Sequence, residues 1–474
     1  MSEVAIKQEI PEEWITVPLE ECAEILDSRR IPLNSKQRSE RIDGKSIDQL
    51  YPYYGATGQV GLIDDFIFEG NHLLIGEDGA PFFDKSKNVA YIANGKFWVN
   101  NHAHILNADT TVTSNKYLLH FLNSFNYKGF VNGTTRLKLN QGNLKKIPVP
   151  IAPPEQQKRV VAKIDELFSH IDAGIEALKK AKQLLKQYRQ SVLKAAVTGE
   201  LTKEWREENK DKLEPVSELL ECILKERRQK WDEKQLELFK SKGKFPQDDT
   251  WKDKYKEPVA VEPLPFDIPD SWETISLDTL IFNIEAGKSF KCDERPPQDV
   301  ETGIVKVSAV TWGEFNSEES KTITDKNKIN TAYRIKKGDF LFSRANTIEL
   351  IGACVIVKDV KKDLLLSDKI HRFNLPDEWK EWVRLCLRTR HGRNEIESLA
   401  TGNQDSMRNI SQGNVKSIRV PLLSIVELKV LISYFNEKID SIQRLESEIE
   451  IQLIKANKNK QSILASAFSG VLNG

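Results

Sequence analysis

PPEQQKRVVAKIDELFSHIDAGIEALKKAKQLLKQYRQSVLKAAVTG, residues 153–199, is the stretch from which the rest of the chain can be read. Apolar residues recur in steps of three and four at Val160, Ile164, Phe168, Ile171, Ile175, Leu178, Ala181, Leu185, Tyr188, Val192 and Ala195. That spacing predicts a long helix with one apolar stripe. Pro153 and Pro154 ahead of Glu155 mark its start and Thr198-Gly199 its end, since proline is tolerated in a first turn and glycine closes a last one. About 43 residues rising about 1.5 Å each make a rod of roughly 65 Å.

A rod with one apolar stripe needs a partner of its own length, and the chain supplies one. At a constant offset of 271 residues, LNQGNLKKIPVP at 139–150 lies over ISQGNVKSIRVP at 410–421, and SVLKAAVTGEL at 191–201 over SILASAFSGVL at 462–472. Both ends match at one offset, so the two rods are equally long. The second carries its stripe at Leu428, Ile432, Phe435, Ile439, Ile442, Leu445, Ile449, Leu453, Ala456, Ile463 and Ala467. Two paired rods within one chain are expected.

The repeat extends beyond the rods. Ile10-Pro11-Glu12-Glu13-Trp14 with Leu19 returns as Ile268-Pro269-Asp270-Ser271-Trp272 with Leu277. Each half therefore reads as an Ile-Pro-x-x-Trp opening, a globular head, a Gln-Gly-Asn turn and a long helix. The heads do not align with each other, which points to two domains with different tasks of one kind. Head one shows short β-rich runs at 59–63, 73–75, 89–92, 97–99 and 104–106, tight turns at 54–58 and 77–79, and a helix over 115–124. Head two shows runs at 304–307, 339–343 and 352–357 and a helix over 378–388. The class is α+β. After the first rod, Pro215 opens a charged helix, and residues 243–265, with four prolines, read as a connector or a docking arm.

At 474 residues the chain is too long for one core. Its 70 basic and 70 acidic residues cancel, so net charge identifies no partner. The five cysteines Cys22, Cys222, Cys292, Cys354 and Cys386 are scattered and never form a C-x-x-C pair, which points to reduced thiols in a cytoplasmic protein. MSEVAIKQEI has no apolar core of a signal peptide, and no stretch approaches a membrane span.

Catalytic signatures are missing where their chemistry needs them. A phosphate cradle requires a glycine five residues before Gly-Lys-Ser/Thr; Ser39 stands there before Gly44-Lys45-Ser46, and Phe282 before Gly287-Lys288-Ser289. No Rossmann glycine fingerprint follows a strand, and the Asn- or Asp-Pro-Pro-aromatic grip of amino-methyltransferases is missing. His102 and His104 flank Ala103 in a strand rather than sharing a helix face, which does not predict a metal site. Glu378-Trp379-Lys380 has a nuclease-like form but lies in an amphipathic helix. Local charge is more telling. Residues 110–154 hold no acid against six basic residues, Lys116, Lys128, Arg136, Lys138, Lys145 and Lys146, interleaved with Tyr117, Phe121, Phe125, Tyr127 and Phe130. In head two, residues 334–419 hold 17 basic against 11 acidic residues. One basic patch per head suits a duplex phosphate surface.

With that plan in view, the chain resembles the DNA-specificity subunits of type I restriction-modification systems over essentially its full length. The resemblance rests on the two Ile-Pro-x-x-Trp openings, on Tyr53-Tyr54-Gly55-Ala56-Thr57-Gly58 and Leu74-Ile75-Gly76-Glu77-Asp78-Gly79 in head one, and on Gly338-Asp339-Phe340-Leu341-Phe342-Ser343-Arg344-Ala345-Asn346 in head two. The two exits complete it, Gly142-Asn143-Leu144-Lys145-Lys146-Ile147-Pro148-Val149-Pro150 with Glu155-Gln156-Gln157, and residues 462–470. The second rod departs from the pattern: Arg419-Val420-Pro421-Leu422-Leu423-Ser424-Ile425 lacks the Pro-Pro-x-x-Glu-Gln spelling.

The resemblance implies two target-recognition domains, at 1–150 and 266–421, each reading one half of a split, asymmetric double-stranded DNA site. It implies long helices at 151–200 and 422–474, antiparallel and acting as a ruler, with a charged helix and linker at 201–265. It also implies binding to two methyltransferase subunits and to restriction (motor nuclease) subunits. S-adenosylmethionine, ATP and magnesium then belong to those partners, and this chain is non-catalytic, without cofactor or metal. The residues expected at DNA are Tyr54, Thr57, Arg136 and Lys138 in head one, and Arg344, Asn346, Asn403, Gln404 and Arg408 in head two. The alternative is a coiled-coil structural adaptor without sequence-specific DNA binding.

Overall fold

The structure is a computed structural model that describes residues 11–243, 245–402 and 407–472. It divides into two compact units, Met1–Lys182 with Glu446–Gly474, and Gln183–Leu445. The long helices are Pro154–Val197 and Ile425–Phe468, 44 residues each and in the same register at both ends. The second therefore starts where the repeat requires, although it lacks the proline pair. The division between the units falls inside the rods rather than at their ends.

In the first unit the strands order as Ala23–Ile25, Ala103–Ala108, Phe68–Gly76, Ala90–Val99, Tyr51–Gly55 and Gly58–Ile63. Neighbours are antiparallel except Tyr51–Gly55 beside Ala90–Val99, which is parallel. Alternation along Phe68–Gly76 sends Leu73 and Ile75 to one core and Leu74 to another, as a pleated strand must when both faces are covered. The first core takes Tyr117, Leu118, Phe121 and Leu122 from the helix Asn115–Ser124, and Val160, Ile164, Leu464, Ala467 and Phe468 from the rods. The rods run antiparallel here. Asp172 pairs with Lys460 and Lys182 with Glu450, ten residues on along one helix and ten back along the other.

In the second unit one four-stranded sheet orders as Asn283–Ala286, Ile370–Asn374, Phe340–Ser343 and Cys354–Ile356; another as Cys292–Asp293, Ser320–Ile323, Thr302–Val305 and Asp363–Leu365. Phe340, Phe342 and Phe373 stack with centroids 4.9 to 5.5 Å apart. The helix Asp377–Arg388 lays Trp379, Trp382, Val383 and Cys386 on the same core, and the rods add Val192, Ala196, Leu428 and Leu431.

The repeated residues have repeated tasks. Asn140 caps the short helix Gln141–Lys145 and Ser411 caps Gln412–Lys416; the Asn143 amide then donates to the Phe130 carbonyl at 2.7 Å, and the Asn414 amide to Leu399 at 2.8 Å. The strand after each Trp pairs antiparallel with the strand before each rod, Ile15–Pro18 with Pro148–Ile151 and Glu273–Ser276 with Arg419–Leu422. Trp14 Nε1 donates to Gln156 Oε1 and Trp272 Nε1 to Glu427 Oε2, both at 2.9 Å. At the rod ends Gly199, with φ +75°, abuts Pro269, and Gly470, with φ +77°, abuts Pro11. Both glycines sit in the left-handed conformation that ends a helix.

Two expectations are refined. Tyr188 and Leu445, assigned to the apolar stripes, are 47% and 54% exposed, because a pair of helices covers only a narrow seam of each stripe. The connector after residue 243 is partly docked. Trp251 is buried and stacked on Trp231 of the helix Val216–Ser241 at 5.9 Å, and Tyr255 Oη accepts from Arg227 at 2.6 Å. Among the described residues no helix is long and apolar enough to cross a membrane.

Candidate nucleic-acid interface

In head one, four loops converge at one end of the sheet. The turn after Tyr51–Gly55 is pinned by Tyr91 Oη, which donates to the Gly55 carbonyl, and by Asn100 N donating to the Tyr54 carbonyl at 3.0 Å. Gly76 lies so close to Ala80 and to the Ala56 carbonyl that a Cβ would not fit, so the strand end packs directly on that turn. Glu77 N donates to the His102 carbonyl at 2.7 Å, Gly79 N to Leu137 at 2.9 Å, and Leu139 N to Glu77 at 2.7 Å. Asn132 and Lys138 exchange backbone hydrogen bonds at 2.8 and 2.9 Å, which closes a loop whose tip is Gly133-Thr134-Thr135. Gly133, at φ +101°, lies against the Arg136 carbonyl and leaves no room for a side chain.

This geometry brings Thr57, Arg136 and Lys138 to one surface. Thr57 is exposed at its turn. Tyr54 sits behind it, edge-on to Phe97 at 5.6 Å and tilted against Tyr91 at 5.8 Å, so its ring braces the turn. Arg136 is 61% exposed and pairs with Asp78 Oδ1 at 2.8 Å; Lys138 is 53% exposed and pairs with Glu77 Oε1 at 3.1 Å. His102 Nδ1 lies 2.7 Å from the same Asp78 oxygen. The acid-free character of residues 110–154 therefore does not survive folding. Lys116 meets Asp165 and Lys145 meets Glu20 as well, because distant segments bring carboxylates that a local count of charge cannot see.

Beneath the surface lies a network that sequence reasoning missed. His104 is buried, its Nδ1 2.5 Å from Asp27 Oδ2 and its Nε2 2.7 Å from the Leu139 carbonyl. Asp27 also accepts from Ile105 N at 3.1 Å. Arg30 bridges Asp27 and Glu77 at 3.3 and 2.7 Å. Burial works to raise the Asp27 and Glu77 carboxyls, but the hydrogen bonds and charges of His104, Arg30 and Lys138 outweigh it and hold both below the usual carboxylate range. Asp27, Glu77 and His104 have the spacing of a metal cluster. The Arg30 guanidinium already contributes the positive charge between the two carboxylates, so the group fits a structural ion-pair network better than a cation. Through Leu139 and Glu77 this network fixes the base of the 132–138 loop. The Glu77-Asp78-Gly79 motif was the one available signal of it.

In head two the structure pairs Asn346 with Arg408. Ala345–Asn346 and Arg408–Asn409 form a two-stranded ladder with Asn346 opposite Arg408. Ile410 N donates to the Arg344 carbonyl at 2.9 Å, so all three residues share one strand junction. The Asn346 side chain is turned inward, accepting from Thr347 N at 2.9 Å and donating to Ser343 Oγ at 3.3 Å; it shapes the turn. Arg408 donates to the Gly402 carbonyl at 2.6 Å. Among the described residues Arg344 Nε is buried and makes no hydrogen bond. Near it His371 is buried with Nδ1 also unpartnered, and desolvation together with the charge of Arg344 lowers its pKa to about 4. Asn403 and Gln404 lie outside the described residues. Glu378 is exposed, while Lys380 holds the Gly338 carbonyl at 2.7 Å, a surface and structural pair rather than a catalytic one.

Residues 11–186 match the family described as the type I restriction modification DNA specificity domain. The specificity subunit of the type I restriction enzyme EcoEI of Escherichia coli is 30% identical over 306 residues, 63% of this chain and 46% of that protein. A putative type I specificity subunit of Haemophilus influenzae, S.HindORF215P, is 36% identical over 155 residues, 33% of this chain and 37% of that protein. The matches thus span less than half the length of these two relatives. One solved chain, from a structure concerned with complex assembly and conformational transition of the type I restriction-modification system, shares the fold: TM-score 0.60 over 98% of this chain and 100% of that one, at 14% identity. Residues 11–186 are thus similar to a type I restriction modification DNA specificity domain, and the chain as a whole shares its fold with a chain from a structure of the type I restriction-modification system.

Proposed function

We propose that this cytoplasmic chain reads a bipartite, asymmetric duplex DNA site and directs the methyltransferase and restriction subunits of a type I complex to it, itself performing no chemistry. The two heads, 1–150 and 266–421, are target-recognition domains. The long helices at 151–200 and 422–474 set the spacing of the half-sites and receive the methyltransferase subunits, and 201–265 serves as connector. The observation that carries this reading is a frame whose joints repeat contact for contact while the heads it holds differ, as two unlike half-sites require.

In head one, Arg136 and Lys138 exchange Asp78 and Glu77 for phosphate or base edges as the loops enter the groove, and Thr57 contributes from the neighbouring turn. Surface ion pairs of this kind are worth about 0–1 kcal/mol, so the exchange is cheap. Asp78, released from Arg136, is an acceptor suited to the cytosine amino group, while Glu77 stays held by Arg30. In head two, Arg344 and Arg408 supply guanidiniums from one strand junction. Asn403 and Gln404 complete the set, and Tyr54 and Asn346 hold their turns in shape.

The test is methylome sequencing of a host that expresses this chain with its methyltransferase partner. A bipartite, asymmetric methyladenine motif that requires this chain is expected. A partner that is active and bound, yet leaves no new motif, would overturn the reading.

A further inference from the structure

Three neighbouring strands of head two, Asn283–Ala286, Ile370–Asn374 and Phe340–Ser343, bring their ends together at one edge of their sheet. Ala286 lies opposite His371 and Ser343 opposite Ile370, so the chain leaves the two flanking strands where it enters the middle one. The segments that meet there are 287–289, 344–346 and 367–369. Their backbones are bonded: Gly287 N donates to the Ser367 carbonyl at 3.2 Å, and Arg344 N to the Lys369 carbonyl at 3.0 Å. A Cβ at Gly287 would run into the Leu366 carbonyl, so glycine is what lets these two segments touch, as Gly76 does against Ala56 in head one. Ser289 Oγ donates to Asp368 Oδ1 and ties the two tips together. Arg408 joins the same edge, because Arg408–Asn409 pairs with Ala345–Asn346. Gly287-Lys288-Ser289, which fails as a nucleotide cradle, therefore stands beside the residues expected at DNA.

Lys288 and Ser289 are exposed, and Asp368 and Lys369 are half-buried. Among the described residues neither Lys288 nor Lys369 has a carboxylate partner, in contrast to Arg136 and Lys138 of head one. Asp368 Oδ2 makes no hydrogen bond among the described residues either. A carboxylate on a surface that meets phosphates is repelled by each of them, and gains only where it finds a donor. In the major groove the donors are the amino groups of cytosine and adenine, whereas guanine and thymine present acceptors that a carboxylate rejects. We propose that Asp368 reads one base of the half-site by accepting from such an amino group, while Lys288 and Lys369 hold neighbouring phosphates. This inference rests on the reading of head two as a target-recognition domain and names further residues that set its specificity.

Methylome sequencing of a host that expresses the chain with its methyltransferase partner tests it and keeps the two levels apart. Asp368→Ala should relax one position in one half-site, with about 10- to 100-fold of discrimination lost there. The other half-site should stay intact, which reports that the chain folds and assembles. Ser289→Ala removes the tie between the tips but keeps the carboxylate, so it should weaken binding without widening base choice. Lys288→Ala and Lys369→Ala should weaken the assembled complex evenly on cognate and non-cognate duplex, each lowering the slope of log K against log salt by about 0.9. A wild-type chain that yields no motif overturns the reading of the heads and this inference with it. A wild-type motif that Asp368→Ala leaves unchanged overturns this inference alone. So do relaxation by Ser289→Ala equal to that of Asp368→Ala, loss of both half-sites with a lower melting temperature in Asp368→Ala, and unchanged affinity in both lysine variants.

Discussion

Replacing Arg136 by alanine tests head one most directly. In the free chain the guanidinium is 61% exposed and tied to Asp78, itself 20% exposed. Such a pair contributes at most about 1 kcal/mol to stability, so folding should be nearly unaffected. A base-edge contact by the same group on DNA would be worth about 1–3 kcal/mol. Subtracting about 0.5 kcal/mol for the lost pair leaves about 0.5–2.5 kcal/mol, or roughly 2–70-fold in affinity. Fluorescence anisotropy with a labelled cognate duplex, across about 50–200 mM salt, separates the two ways this loss can arise. A base contact costs affinity on the cognate site alone. A phosphate contact costs it evenly and reduces the slope of log K against log salt by about 0.9. Asp78→Asn is the companion: with the restraint on Arg136 removed, affinity for non-cognate duplex should rise. Unchanged affinity and slope in Arg136→Ala would refute the placement of this loop at DNA, and so would a fall of several kcal/mol in stability.

Three further outcomes follow from the second unit. Glu427 is fully buried and accepts from Arg206 Nε at 2.9 Å, Thr202 Oγ1 at 2.7 Å and Trp272 Nε1 at 2.9 Å; Glu427→Gln turns one acceptor into a donor and leaves Arg206 uncompensated. It should cost about 3 kcal/mol, read by hydrogen exchange in that unit, and a loss below about 1 kcal/mol would show the network to be dispensable. His371 titrates at about 4 when folded and near the ordinary histidine value when unfolded. The unfolded chain then binds the extra proton first as pH falls, so stability is intact above about 6.5 and declines towards 4, by at most about 3 kcal/mol. His371→Gln should flatten that part of the pH–stability curve. Gly199→Ala meets both a left-handed backbone and Pro269, and should cost about 2 kcal/mol or more. Gly243→Ala, at φ +64° with open space around it, should cost about 1 kcal/mol, and equal losses would mean that the Gly199–Pro269 contact carries nothing.

Much of the frame was legible because it is periodic or repeated. The three-and-four spacing in residues 153–199 gave the first rod to within a residue or two at each end. The constant offset located the second rod even without its proline pair. Asn115–Ser124 and Asp377–Arg388 were readable as amphipathic runs with ordinary start signals. The sites were harder. Arg136 and Lys138 could be singled out from a basic stretch, but Asp78 and Glu77, which pair with them, lie about sixty residues earlier and had been noted only as part of a turn. Asp27 and His104, 77 residues apart, carry no joint signal at all. Asn346 was expected at DNA, and nothing in the sequence signals that its amide bonds within its own turn.

Sequence by itself thus determined the duplication, the length and register of the two helices, and the joints: the Trp openings, the Gln-Gly-Asn turns and the glycines that end each rod. These depend on local periodicity, capping and backbone freedom, which neighbouring residues settle among themselves. Only the tertiary structure decided which charges remain available, which polar groups are buried without a partner, and where four loops meet. Electrostatic and hydrogen-bond energies depend on distance and burial, and those are set by segments far apart in the chain.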